Sequence, residues 1–510
     1  LVLWAAQKLH RPIKWLAEKS EGFATDPAAR DNETRAELAL DKDGRFLAVR
    51  VRTLANMGGY LSNLTNQAPI NGLTLLCGPY TFEAGFAEVE GVFTNTVYTD
   101  VMRGAGRPEA TYAVERLIDQ AAVDLEIDPA DLRRRNLIPA DGFPYKTVFG
   151  LSYDSGLFAA NLERALMRSD WHSFPARREA AEKRRRRRGI ALIYYVQRNG
   201  GRLTDEDAQV RIDASGHATL LIGTQDTGQG HATAYAQIIA DHLDLPITAI
   251  RVVEGDTDRI GYGNGTGGSR SMMVGGSVLR LSCEKIVDKG RRIAAYLLEA
   301  DVADIEFVAG RFLIVGTDSS LSLADVALAA HRQDQLPDDI ETGLDERANF
   351  RPPNFSFPNG AHVCEVEVDP ETGVIEIIRY TAAEDYGTLV NPMLVEGQVH
   401  GALAMGFGQA WLEHTVYDEK TGQLLSGSLL DYALPRAIHM PPIDLVLDQS
   451  APCLGNPLGA KGAAEGGTVA APPAVINALL DALRPLGVGD IDMPATPARV
   501  WQAIQAARSR

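Results

Sequence analysis

The stretch Asn456 to Leu483, NPLGAKGAAEGGTVAAPPAVINALLDAL, constrains the chain more than any other. A glycine-rich loop holding one cation, Lys461, and one carboxylate, Glu465, runs into small residues as far as Ala471. Pro472 and Pro473 predict a helix start, because proline presets a helical φ and lacks an N–H that a first turn could not bond internally. Val475, Ile476, Leu479, Leu480 and Leu483 then recur at helical spacing as an apolar face. A lone glutamate among small residues beside a helix start has two readings. It is an exposed loop carboxylate that caps the helix, or a general base in a tight, water-poor pocket.

Three further loops of similar construction favour the pocket. Arg103 to Pro108, RGAGRP, runs into a helix with Ala113, Leu117, Ala121 and Leu125 as its expected buried stripe. Gly223 to Gly230, GTQDTGQG, runs into HATAYAQIIADHL, and Gly263 to Gly268, GNGTGG, is followed by Ser269, Arg270, Ser271 and a long helical stretch. In each, glycines let backbone N–H groups approach a ligand, and the helix N-terminus behind them favours negative charge. Four such loops bearing Gln, Ser, Thr and Arg point to an extended anionic ligand. None has the Walker spacing, and no G-x-G-x-x-G follows a strand in a parallel α/β unit, so ordinary nucleotide folds are disfavoured. Between the loops, Glu384 to Gln409 combines small residues with amides (Asn391, Gln398, Gln409) in a helix able to pack closely or to hydrogen-bond a polar ring such as a pterin.

A net charge of -17 argues against a nucleic-acid or anionic-membrane surface. Cys77, Cys283, Cys364 and Cys453 are far apart, which disfavours a disulfide framework and any metal or iron–sulfur site made by this chain, and suits a reducing compartment. No apolar run is expected to reach the roughly 18 residues of a membrane span. Strand–turn–strand patterns recur with irregular spacing, at AELAL-DKDG-RFLAVRV, AQVRI-DASG-HATLLIG, CEVEV-DPETG-VIEIIRY and more weakly around DEKTG, with helices between. They predict an internally duplicated α+β protein. A short strand is expected at Ile13 to Trp15, a domain boundary at Trp171 to Gly189 whose five successive arginines mark a solvated helix end or linker, and a surface connection over Gly316 to Asn359.

RGAGRPEATYAVERLID, GTQDTGQGHATAYAQIIA, GDTDRIGYGNGTGGSRS, NPMLVEGQVHGALAMGFGQA and GAKGAAEGGTVAAPPAVINAL, in this order, resemble the molybdopterin-binding large subunit of the xanthine dehydrogenase family. That family includes aldehyde oxidoreductases, N-heterocycle hydroxylases and aerobic carbon monoxide dehydrogenases. The resemblance implies an α+β fold of duplicated molybdenum cofactor-binding lobes built from hairpin–helix repeats, residues 1–175 being the remainder of the first and 190–510 the second. It implies molybdopterin cytosine dinucleotide whose molybdenum, with oxo and sulfido groups, is held by the cofactor's dithiolene and by no side chain.

By the same resemblance, Arg103, Gly104, Ala105 and Gly106 border metal and substrate, with Arg103 orienting substrate or polarising developing charge. Gln229, Gly230 and His231 form one dinucleotide-binding loop; Thr266, Gly268, Ser269, Arg270 and Ser271 form another. Gln398 contacts the cofactor, as do Lys461 and Gly462 from the loop that carries Glu465, the general base. The implied reaction is hydroxylation of an aldehyde or N-heteroaromatic carbon with oxygen from water. Electrons would leave through an iron–sulfur small subunit and an FAD medium subunit, in a cytoplasmic dimer of heterotrimers.

Three departures qualify the resemblance. The family's smaller N-terminal α/β domain and its glycine-phenylalanine loop are absent, so the chain reads as N-terminally truncated, and a scaffold without competent cofactor is the competing reading. Carbon monoxide dehydrogenases carry a cysteine in the loop corresponding to Met102 to Gly106, where this chain has none. Ala464 precedes the base where many relatives have glycine.

Overall fold

In the computed structural model, residues 1–509 are described. Exposed helices α1 (Val2–Leu9) and α2 (Lys19–Thr25) lead into the first expected hairpin, β1 (Asn32–Leu40) and β2 (Phe46–Gly58). After α3 (Gln67–Leu73), β3 (Ala84–Phe93) joins β2 in parallel to complete a three-stranded sheet. Helices α4 (Arg107–Asp124) and α5 (Pro129–Asn136) follow, then the two-residue strands β4 (Tyr145–Lys146) and β5 (Ser152–Tyr153), then α6 (Phe158–Ser169) and α7 (Phe174–Lys183). Arg133 of α5 is fully buried between Glu115 (2.7 Å) and Asp119 (3.1 Å) of α4, an ion cluster that fixes the two helices together.

The chain then forms β6 (Arg187–Val196), the hairpin β7 (Glu206–Ile212) and β8 (Ala218–Ile222), α8 (His231–Leu243), β9 (Ile250–Val253) and α9 (Ser277–Leu297). A small meander, β10 (Ile305–Val308), β11 (Arg311–Ile314) and β12 (Ser320–Ser322), precedes α10 (Leu323–Ala330) and β13 (Leu344–Phe350). Last come the hairpin β14 (Asn359–Val368) and β15 (Ile375–Asp385), α11 (Pro392–Phe407), β16 (Ile443–Asp448), α12 (Gly466–Leu483) and α13 (Pro497–Arg508). One four-stranded sheet runs β13-β7-β8-β9 with α8 and α9 on it. The central sheet runs β16-β15-β14-β6. One of its faces shares a core with residues 46–174, and the other packs on α11 and α12.

Several expectations need correction. Helix α12 begins at Gly466, ahead of both prolines, which lie inside it. Each proline removes an N–H, so the carbonyls of Thr468 and Val469 lose their helical donors. The helix persists because nearly every residue is buried against β6, β14, α4 and α11, and tertiary packing outweighs propensity. Gly466 to Leu486 is also apolar enough to cross a membrane by length and composition, with mean hydropathy 1.2, contrary to the absence expected; 94% of that window is buried inside the protein.

The stripe on α4 is rotated from its expected position. Ala110, Val114, Ile118, Ala121 and Ala122 face the core, whereas Leu125 is 37% exposed. Ile13 to Trp15 forms no strand, because no neighbouring backbone offers a ladder there. The arginine run is a solvated helix end only in its first part: α7 stops at Lys183 and Arg184 and Arg185 are exposed, but Arg187 and Arg188 open β6, and Arg184, Arg186 and Arg188 pair with Glu367 (2.7 Å), Asp369 (2.8 Å) and Glu365 (2.7 Å). Gly316 to Asn359 is more than a surface connection, since it contains α10, whose apolar face is buried, and β13, which extends the sheet through β7. The weak hairpin around DEKTG reduces to a single bridge, Tyr417 to Leu424.

A candidate active-site cavity where loops converge

The loops that precede α8, α9 and α12 open onto one cavity of about 510 Å³, closed on a further side by the first half of α11. Arg103, Gln229, Gly230, His231, Thr266, Gly268, Ser269, Ser271, Gln398, Lys461, Gly462 and Glu465 all line it. Val390, Leu394, Val395 and Met272 supply an apolar wall, and Tyr386 and Asn391 add polar groups. The volume and this mix suit a ligand of drug-like size or a cofactor.

Glu465 is the N-cap residue of α12, yet its side chain accepts nothing from that helix, and it is only 7% exposed. Its Oε1 accepts from the Gly104 backbone N–H (3.0 Å), and its Oε2 accepts from Gln197 Nε2 (2.6 Å) and Ser269 Oγ (2.8 Å). The Arg107 guanidinium lies 3.6 Å from Oε1. The exposed-cap reading is therefore excluded. Three separate segments donate to one carboxylate, which fixes its position at the edge of the cavity.

Arg103 works as a strap. Its Nη2 donates to the Gln398 carbonyl (3.0 Å) and to Gln398 Oε1 (3.1 Å), and its Nε donates to the Ala464 carbonyl. Burial lowers its pKa from the usual guanidinium value, opposed by the charge of Glu465. An arginine can only donate, so the Gln398 amide must turn its oxygen to Arg103 and has its NH₂ free as a donor.

The remaining expected residues take other positions. Gly104 contributes its N–H to Glu465. Ala105 (φ 40°) and Gly106 (φ 90°) turn the chain into α4, and a Cβ on Gly106 would overlap the Ala68 carbonyl. The Arg270 guanidinium points away from the cavity to Glu206 (2.5 Å) and the carbonyls of Gly265 and Asp205 (both 3.0 Å), pinning its loop to the start of β7. Lys461 likewise sends its ammonium to Asp385 (2.7 Å), both buried, and shows the cavity only the rest of the residue. At α8, Asp226 accepts from the N–H groups of Gly228 (2.8 Å), Gln229 (2.8 Å) and His231 (3.1 Å), so part of that helix terminus is satisfied from within. Burial opposes it, but those N–H groups hold the Asp226 carboxyl below its usual range.

In IYYVQRNGG the sequence offers Tyr194, Tyr195 and Gln197 only as candidates for a pocket wall, and it gives no sign of Tyr386 or of the apolar residues of α11. Gln197 follows one buried strand and Tyr386 another, and neither position carries a periodic or motif signal.

Two family models, both described as molybdopterin cofactor-binding domain, match residues 1–137 and 164–441. The chain is similar to the carbon monoxide dehydrogenase large chain of Hydrogenophaga pseudoflava, 37% identical over 98% of this chain and 64% of the relative. Reconstituted CO dehydrogenase from Oligotropha carboxidovorans superposes with a TM-score of 0.93 at 34% identity, over 100% of this chain and 65% of that one. Quinoline 2-oxidoreductase from Pseudomonas putida 86 gives a TM-score of 0.93 at 30% identity, over 99% of this chain and 66% of that one. The chain thus spans slightly under two thirds of the length of each.

Proposed function

The chain belongs to the molybdopterin cofactor-binding family, and on that premise we propose that it is the cofactor-bearing part of a molybdenum hydroxylase large subunit. Residues 1–175 and 190–510 would be its two cofactor-binding lobes, and the holoprotein would hydroxylate an aldehyde or an N-heteroaromatic carbon. The observation that carries this reading is Glu465, a buried carboxylate held by three donors at a cavity where glycine loops meet.

The residues present fit molybdopterin cytosine dinucleotide. A Cβ added at Gly228 or Gly267 would meet nothing within 4 Å, so both backbones leave open space beside a bound group. Backbone N–H groups, Ser269, Ser271, Thr266 and Gln229 suit phosphates, and the Gln398 NH₂ suits a ring acceptor. No group of three or more His, Cys, Asp or Glu able to hold a metal occurs among the described residues. On the family reading the cofactor itself would hold the metal. When bound, the cofactor supplies the two-electron redox chemistry.

The chain's own contribution is positional and acid–base. Glu465 takes a proton at a carboxylate oxygen, and Gln197 and Ser269 on Oε2 and the Gly104 N–H on Oε1 keep the carboxylate aimed. Arg103 orients Gln398 and ties the loop of the base to α11. Val390, Leu394 and Val395 exclude water from one wall, which strengthens every electrostatic interaction inside. None of the four cysteines lines the cavity, so an aldehyde or heteroaromatic substrate is favoured over carbon monoxide. Electrons would pass to iron–sulfur and FAD subunits of a cytoplasmic dimer of heterotrimers. Four reduced, buried cysteines suit that compartment.

Elemental analysis for molybdenum, with release of the nucleotide by mild acid, tests the reading on the purified protein. The expected result is molybdenum and cytidine nucleotide in equal amounts with the chain. Their absence, also from a version extended to the relatives' full length, would leave a scaffold that keeps the fold without the chemistry.

A further inference from the structure

Beneath the cavity lies a row of buried polar side chains that the chemistry above does not use. Tyr195 on β6, Gly360 on β14 and Glu384 on β15 stand in one cross-strand row. Because residue 360 has no side chain, Tyr195 reaches across it and its hydroxyl meets Glu384 Oε2 at 2.6 Å; a Cβ there would overlap the Glu384 carboxylate. On the other side, Glu384 Oε1 lies 2.9 Å from His362 Nε2, and His362 Nδ1 lies 3.0 Å from the Tyr380 hydroxyl. Tyr386, which lines the cavity, brings its hydroxyl to 3.4 Å from that of Tyr195. A Cβ on Gly466, the first residue of α12, would overlap the Tyr195 hydroxyl, so the turn immediately after Glu465 sits directly on this pair. All five side chains are at most 1% exposed.

Proton counting orients the row. A carboxylate only accepts, so His362 Nε2 carries a proton for Glu384 and its Nδ1 accepts from Tyr380. Tyr195 has a single proton and spends it on Glu384, so its oxygen accepts from Tyr386. Burial raises the pKa of Tyr195, Tyr380 and Tyr386 well above the usual phenol value, which keeps all three as O–H groups. Every proton in the row thus points toward Glu384, and Tyr386 turns lone pairs to the cavity.

We propose that Tyr386 and Tyr195 form a proton relay from the cavity to Glu384, which with His362 acts as a buried proton store beside the base. A donor in the cavity gives a proton to the Tyr386 oxygen. The Tyr386 proton moves to Tyr195, and the Tyr195 proton moves to Glu384 Oε2. One O–H bond is broken and one formed at each tyrosine, the carboxylate becomes a carboxylic acid, the donor loses one proton, and no electron moves. Afterwards Tyr386 presents a hydrogen to the cavity in place of a lone pair. In the proposed hydroxylation this gives a released proton a destination distinct from Glu465; only that role rests on the functional reading.

The charged and titratable surroundings of the store are few. His362 and Cys364 on β14, Tyr380 on β15 and Tyr195 on β6 surround it within the sheet; α12 covers it with Gly466, directly after Glu465, Arg103 lies close to Tyr386, and the Lys461–Asp385 pair sits on the next residue of β15.

The test is time-resolved infrared difference spectroscopy on the whole chain after a jump to acidic pH, which needs neither cofactor nor turnover. The carboxylic-acid C=O band that Glu384 gains on taking up the proton is assigned by its loss in Glu384→Gln. Tyr195→Phe and Tyr386→Phe each delete one hydroxyl and keep the packing. Both are expected to gain the band about 100-fold more slowly, the scale on which a positioned proton-transfer group acts. A band that grows as fast in both variants as in the parent, or the absence of any band lost in Glu384→Gln, would overturn the relay and leave the molybdenum assignment untouched.

Discussion

Replacing Lys461 by methionine probes what holds the loop of the base in place. The Lys461 ammonium and the Asp385 carboxylate are 0% and 1% exposed and 2.7 Å apart. Removing one partner of such a buried pair costs about 3–5 kcal/mol, because the other charge stays buried without its counter-ion. Asp385 would keep hydrogen bonds from Asn359 Nδ2 and the Gly387 N–H, both 2.9 Å, so the loss belongs at the low end, about 3 kcal/mol. Burial already raises the Asp385 pKa, with Lys461 acting against it, so Lys461→Met raises it further. A carboxyl whose folded pKa exceeds its unfolded value binds protons more readily when folded. The destabilisation is therefore full above the folded pKa and fades as pH falls through it. Urea unfolding of the parent, Lys461→Met, Asp385→Asn and the double variant, at neutral and mildly acidic pH, reads both effects. The reasoning predicts a smaller loss in acid for Lys461→Met and a double variant more stable than Lys461→Met at neutral pH. A loss below about 1 kcal/mol, the scale of an exposed pair, or one that does not change with pH, would refute it.

Four other substitutions have defined outcomes. Glu465→Gln is expected to leave molybdenum content unchanged and to lower turnover by at least about 10²-fold; retained turnover with equal metal would remove Glu465 from the role of base. Gly466→Ala places a methyl on the Tyr195 hydroxyl and should destabilise by about 1–3 kcal/mol, read by the same urea assay and partly relieved in the Tyr195→Phe background. On α4, Ile118→Ala should cost about 2–5 kcal/mol and Leu125→Ala within about 0.5 kcal/mol; the reverse order would put the core on the face expected from spacing.

The parts legible in the sequence were those with local causes. Each strong hairpin carries its own turn chemistry, and the glycine loops announce a close backbone approach whatever lies opposite. Glu465 stands out as the one carboxylate among small residues beside a helix start. The errors arose where a distant partner decides. Rows Ala113-Leu117-Ala121 and Ala110-Val114-Ile118 on α4 fit one period equally, and it is Glu115, bound to Arg133, that turns the second row inward. Lys461 and Arg270 are loop cations that the resemblance assigns to the cofactor, and each has a buried carboxylate brought in from another segment. Pro472 and Pro473 were taken to open a helix that in fact starts where Gly466 can settle on two tyrosine hydroxyls.

The late position of α12 has a consequence for biosynthesis. Strand β6 ends at Val196 and the helix that covers it starts at Gly466, so about 270 residues separate them. At about 5–20 residues per second, a ribosome takes roughly 15 to 55 s to deliver the cover after the strand has emerged. During that interval Ala191, Ile193 and Tyr195, and later their neighbours on β14 and β15, have no apolar partner from α12. The nascent chain must be shielded from other unfinished chains until the helix arrives. A chain stopped between Asp448 and Gly466 would have every strand from β1 to β16 and still lack the helix that covers β6.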